Sequence, residues 1–425
     1  VPAPHGRHQN LTLSDESYFV NQKWRTGPRG LSPPPFILDS GRPDRHGLPV
    51  KFARETGHMK TKKQNADKNP AVLITGGSGF LGAALLRELL KKPGRETLSP
   101  GEIRIFDTRP PDNASDPRIR YISGDIRSPE ALDEACAGAS LVFHCAAIVD
   151  WGQAPRSRVH DINVNGTRNV IGAARRAGAR ALVHTSTMDV IYDGRPITRG
   201  DEMKPYPKKF TMAYAETKAL AERAVLEADG TREHGTPANA APLRTCVIRP
   251  CGMFGEGDPY HVSSFLKMAR GGRLSFRIGS GRSLFQHVYV GNVAHAHVLA
   301  ARSLLEPEPA AAGRAYIITD FEAKNFFDYM APILEGIGYR MPPKRRSIPM
   351  PVMYALGGIM EFASFLCRPI VRLQPLVSRT SVAMVCKDMT FCGDRACREL
   401  GYRPLYSEEE AIARTIEYFR AKEEA

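Results

Sequence analysis

The chain has 425 residues, too many for one ordinary domain and enough for a large α/β domain with a smaller partner and tails. Its formal net charge of +14 directs attention to anionic partners: nucleic acid, phosphorylated cofactors or acidic lipid. No zinc-finger spacing and no RNA-binding aromatic signature accompanies that charge, so the nucleic-acid reading is set aside.

Residues 1–68 are rich in Pro, Gly, Arg and His, show little periodicity, and read as a disordered basic leader. They lack the apolar run of a secretory signal. An organelle-targeting leader, a basic membrane tether, and a native start at Met59 with foreign residues before it all stay open. From Ala71 the text becomes regular. The runs AVLIT, EIRIFD, SLVFHCAA, ARALVHTST and RTCVIRP read as strands, and the amphipathic stretches between them as helices. That alternation predicts an α/β fold, a Rossmann-type doubly wound parallel sheet over 69–250. After Pro250 it loosens, and 251–425 reads as a smaller, mixed substrate-binding part.

The stretch TGGSGFLG follows the first strand and opens the first helix. Gly77, Gly79 and Gly82 fit G-x-G-x-x-G, and Gly76, Gly79 and Gly82 give an overlapping pattern. Glycines there permit a tight turn and let backbone N–H groups approach a pyrophosphate at a helix N-terminus. Phe80 and Leu81, inside the motif, are counted with them as cofactor-binding. Asp107 ends the second strand, 25 positions after Gly82, where a carboxylate binds ribose hydroxyls and repels a 2′-phosphate. NAD is therefore expected, with Arg109 two residues on leaving NADP open. Asp125, followed by Ile126, falls where a loop meets the adenine; a helix N-cap is the equal alternative.

Tyr214 and Lys218, in YAETK, share one helix face. A phenol has a reference pKa near ~10 and needs a nearby cation to act as a base near neutrality. The strand end HTSTMDV supplies Ser186 and Thr187 as hydroxyls to hold a substrate oxygen. The eight cysteines include no C-x-x-C pair and read as free thiols of a reducing, intracellular compartment. A metal site among Cys386, Cys392 and Cys397 is considered and set aside, so no metal is expected. Residues 348–367 are apolar with one charge, Glu361, and are flanked by Lys344, Arg345, Arg346, Arg368 and Arg372. A spanning helix, a helix lying in the membrane interface and a plain core helix are the three readings; the interfacial one is preferred.

These motifs, with NVNGT, RPCGMFGEGD, FQHVYVGNVAHAHVLA and GYRPLYSEEEAIARTIEYF, resemble the extended short-chain dehydrogenase/reductases over roughly residues 70–420. Within them the chain looks most like the 3β-hydroxysteroid dehydrogenase/sterol-4α-carboxylate 3-dehydrogenase family. The resemblance implies NAD(P)-dependent oxidation of a 3β-hydroxyl, followed by 4α-decarboxylation or a Δ5–Δ4 shift. It makes Tyr214 the general acid/base, Lys218 its partner, and Thr187 the substrate-holding hydroxyl, with Ser186 as fallback. Asn163 falls near a proton-relay position, or is a structural cap. His144, Ala146 and Ala147 fall where the fourth strand passes the cofactor, though a core role for His144 is nearly equal. Pro250 and Met253 fall on the segment that lines the nicotinamide. The resemblance further implies a steroid or sterol partner, a homodimer, and in a eukaryote an endoplasmic-reticulum membrane location. A nucleotide-sugar epimerase or dehydratase of the same superfamily is the alternative, disfavoured by the apolar stretch at 348–367.

Overall fold

The computed structural model describes residues 71–424, apart from 93, 95, 113, 151–153, 233–234, 237–239 and 368–376. All of them fall in the compact unit that spans Thr56–Ala425; the leader expected over 1–68 lies outside the described residues.

Seven short apolar runs form one parallel sheet: β1 (Ala71–Thr75), β2 (Glu102–Asp107), β3 (Ile119–Ser123), β4 (Leu141–His144), β5 (Ala181–Thr185), β6 (Arg244–Pro250) and β7 (Arg314–Ile318). Their order is β7-β6-β5-β4-β1-β2-β3. The strands inside the edge strand β3 are buried on both sides because helices cover both sides. Val72, Ile74, Ile105, Phe143, Val183 and Ile248 enter one core, while Leu73, Phe106, Val142, Leu182 and Val247 enter the other. That alternation within single strands is the period-two geometry of the pleat.

Helix α1 (Phe80–Leu89) lies on the first face against α5 (Val290–Leu305). Leu81, Leu85 and Leu89 recur every four residues and are all buried, each contributing roughly 1.5–3 kcal/mol through its burial. Helices α2 (Pro129–Cys136), α3 (Gly166–Arg176) and α4 (Ala213–Glu227) pack side by side on the other face. The strand order reverses between β1 and β4, which opens a crevice at the carboxyl ends of those strands.

The sheet does not close at residue 250, where the sequence places a boundary. The chain leaves after Pro250 to form small pairs, Gly252–Phe254 with His287–Tyr289 and Arg277–Ile278 with Ser347–Ile348, and then returns as β7 beside β6. Helix α5 likewise comes from beyond that boundary and covers the first face of the sheet.

Helix α6 (Met350–Cys367) is long and apolar enough to cross a membrane, by length and composition. Only Met353 and Gly357 are buried along it, so the plain core-helix reading fails. Ile359, Phe362 and Phe365 are 66%, 63% and 65% exposed. Its one charge, Glu361, accepts hydrogen bonds from the Arg379 backbone N–H (2.8 Å) and guanidinium Nε (2.7 Å). Arg368 and Arg372 lie outside the described residues.

Candidate active site

The crevice is a cleft of about 570 Å³. Its floor is the turn between β1 and α1. Gly76 has a φ of +71°, a conformation side chains resist, and an added Cβ would lie 2.7 Å from the Ala146 backbone. At Gly82 a Cβ would run into the Gly76 carbonyl oxygen. Gly79 caps α1, whose first turn carries no acid, so its free N–H groups favour an anion. Gly76, Gly79, Phe80, Leu81 and Gly82 line the cleft. Gly77 does not: a Cβ on it would sit 2.7 Å from the Ile105 side chain, so its smallness serves helix–sheet packing.

At the cleft edge the Asp107 carboxylate accepts from the backbone N–H groups of Ser78 (3.1 Å) and Arg109 (3.2 Å). It thereby ties the glycine turn to the end of β2. Asp125 and Ile126 also line the cleft. Asp125 is not the cap of α2, because Ser128 performs that task; instead the Arg127 guanidinium, 2.7 Å away, holds its carboxyl below the usual range. A pyrophosphate at the α1 N-terminus and a ribose diol at Asp107 both find the partners they need, so a dinucleotide fits these residues.

Ser186 and Thr187 follow β5 directly, and Tyr214 occupies the first turn of α4. Ser186, Tyr214 and Lys218 meet at the cleft with Ala146, Ala147 and Met253. The Ser186 hydroxyl is buried with no hydrogen-bond partner among the described residues. Thr187 caps a single 3₁₀ turn, Met188–Ile191, and donates its proton to Asp189 Oδ2 (2.9 Å). Burial, then the negative charge of Asp189 and the Tyr260 phenol, holds the Tyr214 phenol above its ordinary range, against a lowering contact with Thr187. Burial also pulls Lys218 down to about 8. Its amine donates to the Thr185 carbonyl (2.6 Å) and lies 3.2 Å from His184 Nε2. In the protein by itself burial and the neighbouring Asp189 therefore disfavour the phenolate.

Besides Gly77 and Thr187, which do not line the cleft either, three further expected site residues are placed elsewhere. His144 is fully buried between the hydroxyls of Thr75 (2.7 Å) and Thr167 (2.8 Å), and burial lowers it to about 3: a satisfied core histidine. Pro250 ends β6 inside the core and does not line the cleft. Asn163 sits in a π turn, Asp161–Asn165, and caps nothing. Its carboxamide accepts from the Ile148 N–H (2.9 Å) and donates to the Ile148 carbonyl (3.0 Å) and Thr217 Oγ1 (3.1 Å). It clamps the loop after β4 to the helix that carries Tyr214. Sequence reasoning missed Pro259 and Tyr260, which also line the cleft. They are held by Asp258, whose carboxylate accepts from the N–H groups of Tyr260, His261 and Val262; the DPY turn signal was the available clue. Among the described residues no cluster of His, Cys, Asp or Glu is arranged to hold a metal.

A glycine cradle at the switch point of a doubly wound sheet, with Tyr, Lys and Ser/Thr at its edge, defines an oxidoreductase of the extended short-chain dehydrogenase/reductase class. Comparison with known proteins narrows this. The model of the 3-beta hydroxysteroid dehydrogenase/isomerase family matches residues 73–350, and the chain belongs to that family. It is 36% identical over 359 residues to 3 beta-hydroxysteroid dehydrogenase type 7 of Homo sapiens, covering 82% of this chain and 95% of that one. It is 33% identical over 346 residues to the decarboxylating sterol-4-alpha-carboxylate 3-dehydrogenase of Mus musculus, covering 81% and 90%. Among solved structures, gox2253 superposes with a TM-score of 0.63 at 25% identity, covering 83% of this chain and 99% of that one. The dTDP-glucose 4,6-dehydratase DesIV of Streptomyces venezuelae, crystallised with NAD, gives 0.61 at 22% identity over 83% and 98%, a likeness of fold alone.

Proposed function

We propose that the protein oxidises the 3β-hydroxyl of a steroid or sterol to the 3-ketone, with NAD as acceptor. The observation that carries this reading is the meeting of Tyr214, Lys218 and the Ser186 hydroxyl at one end of a cleft whose other end is the glycine cradle and Asp107. When bound, oxidised nicotinamide accepts the hydride that leaves C3. Ser186, which has no other partner among the described residues, donates to the carbinol oxygen. The Thr187 hydroxyl donates its hydrogen bond to Asp189 and so orients the turn beside Ser186. Tyr214, once ionised, takes the hydroxyl proton, and Lys218 holds the nicotinamide ribose. Fixing these groups before reaction supplies much of the rate. Asp107 favours NAD over NADP. The new ketone then permits either loss of a 4α-carboxylate as carbon dioxide or migration of a Δ5 double bond.

The test is reduced-nicotinamide absorbance with purified protein, NAD or NADP, and a 3β-hydroxy-Δ5 steroid, a 4α-carboxysterol and a UDP-sugar. Turnover of a steroid or sterol, faster with NAD, is expected. Turnover of the UDP-sugar alone would overturn the reading.

Helix α6 lies in the membrane interface in this reading, with Arg345 and Arg346 shortly before it to meet lipid phosphates, while Lys344 pairs with Asp328 at 2.8 Å. Lipid burial of its exposed apolar side chains brings roughly 1.5–3 kcal/mol each at full depth. Replacing Ile359, Phe362 and Phe365 together by Glu should abolish flotation with anionic liposomes while leaving oxidation of a water-soluble steroid intact. Wild-type protein that does not float would sink this contact.

A further inference from the structure

We propose that His184 is a positioning residue of this site: its neutral imidazole accepts a hydrogen bond from Lys218 and, with the Thr185 carbonyl, holds that lysine charged and oriented for a bound dinucleotide. The inference deepens the dehydrogenase reading and rests on it for the role of Lys218.

Lys218 is 2% exposed, yet it lines the cleft. A buried ammonium needs acceptors to offset its lost hydration. The nearest carboxylate along α4 does not supply them, because Glu222 is committed to Arg249 and Tyr206. Both acceptors come instead from the end of β5. The Thr185 carbonyl lies 2.6 Å from the amine, and His184 Nε2 lies 3.2 Å from it. An ammonium has three N–H donors, so these contacts leave one for a ribose hydroxyl. The Thr185 carbonyl belongs to the backbone and comes with any residue. The imidazole is the part of this cradle that the side chain at 184 decides.

The surroundings of His184 fix it as an acceptor. It is fully buried, and its Nδ1 has no hydrogen-bond partner among the described residues. His144 on β4 lies beside it with ring centroids 4.9 Å apart, but Thr75 and Thr167 take both nitrogens of that ring. Burial, then Lys218, His144 and His297 from α5, holds His184 well below the ordinary histidine range, opposed by a smaller effect of the His144 backbone. The imidazole is therefore neutral near physiological pH, and with an ammonium against Nε2 its proton sits on Nδ1. Such a ring does not take the lysine's proton; it favours the charge where it stands. The other titratable groups that face Lys218 are Cys145, just past β4, and Tyr214, which lines the cleft from the same helix.

The experiment is the affinity for NADH, read from nicotinamide fluorescence between about pH 6 and about pH 9, a range that brackets the lysine and in which His184 stays neutral. No steroid enters it. Burial brings Lys218 to about 8, so wild-type affinity should fall as pH rises through that value and the charged donor is lost. In His184→Leu the midpoint of this fall should move down by about one pH unit, the effect of removing a hydrogen bond to a charged group. At the acid end, where the lysine is charged in both proteins, the affinities should agree within about twofold. His184→Gln, whose carboxamide oxygen accepts from an ammonium, should return the midpoint towards wild type. Lys218→Met should bind NADH without this dependence on pH, which assigns the fall to the lysine. A His184→Leu midpoint equal to that of wild type would overturn the proposal. So would a variant weakened alike at both ends of the range, or a fall that persists in Lys218→Met. Wild type that binds no NADH at any pH overturns the dehydrogenase reading together with this one. Binding that follows the expected profile without turnover of any steroid or sterol strikes that reading alone.

Discussion

Tyr214→Phe should lose steroid oxidation by ~10²–10⁴-fold while keeping its affinity for NAD. The substitution removes one oxygen and leaves the ring, so the first turn of α4 and the packing around it are retained. Of the groups at this end of the cleft, Tyr214 is the one whose ionised form can accept the hydroxyl proton, since Thr187 is already hydrogen-bonded to Asp189 and the Ser186 hydroxyl is not acidic enough to ionise. The same geometry gives a sign for pH. Burial and Asp189 disfavour the phenolate, so wild-type oxidation should climb with pH. Lys218, brought down to about 8, loses its charge over the upper part of that climb and blunts it. The checks are kcat/KM against pH and NAD binding by protein fluorescence. A Phe variant within tenfold of wild type would remove Tyr214 from the mechanism.

The largest stability loss is expected at Glu222, one turn beyond Lys218. Glu222 is fully buried, and its two oxygens each lie 3.1 Å from Arg249 Nε on β6. The Tyr206 hydroxyl donates to the same carboxylate at 2.6 Å. This triad bolts α4, and with it Tyr214 and Lys218, to the sheet. Glu222→Gln strands the buried Arg249 charge and should cost about 3–5 kcal/mol in urea unfolding. Replacing both partners by Met should recover much of that loss, because the desolvation of both charges is then avoided. A Gln variant within about 1 kcal/mol of wild type would show that water or a shifted neighbour compensates the guanidinium. Glu222 also supports the positive charge on Lys218, so the surviving Gln variant should show the lysine titrating lower than in wild type.

Much of the site was legible because its signals are local. The glycine turn, Asp107 and the Tyr214–Lys218 pair are each set by backbone geometry within one turn or one strand end, and a short motif carries that information. The errors lie where a partner distant in sequence decides. Gly77 satisfies the motif, yet Ile105 from the next strand occupies the space beside it. His144 stands at the end of a strand beside the cleft, yet Thr75 and Thr167 take both ring nitrogens and close it into the core. Asn163 was placed near a relay; only the fold shows its carboxamide bridging the Ile148 backbone and Thr217. The boundary at residue 250 failed for the same reason: the periodicity weakens there, but the run RAYII returns to pair with β6.

By itself, then, the sequence determined the parallel α/β architecture, the glycine turn and the pairing of Tyr214 with Lys218 on one helix face, since these follow from periodicity, backbone freedom and spacing along one helix. The tertiary structure decided which hydroxyl has a partner among the described residues and which does not, that Lys218 donates to a strand-end carbonyl, and that α6 is buried only at Met353 and Gly357. Burial and hydrogen-bond satisfaction govern those properties, and both are sums over neighbours brought together from as far apart as residues 75, 189, 261 and 379.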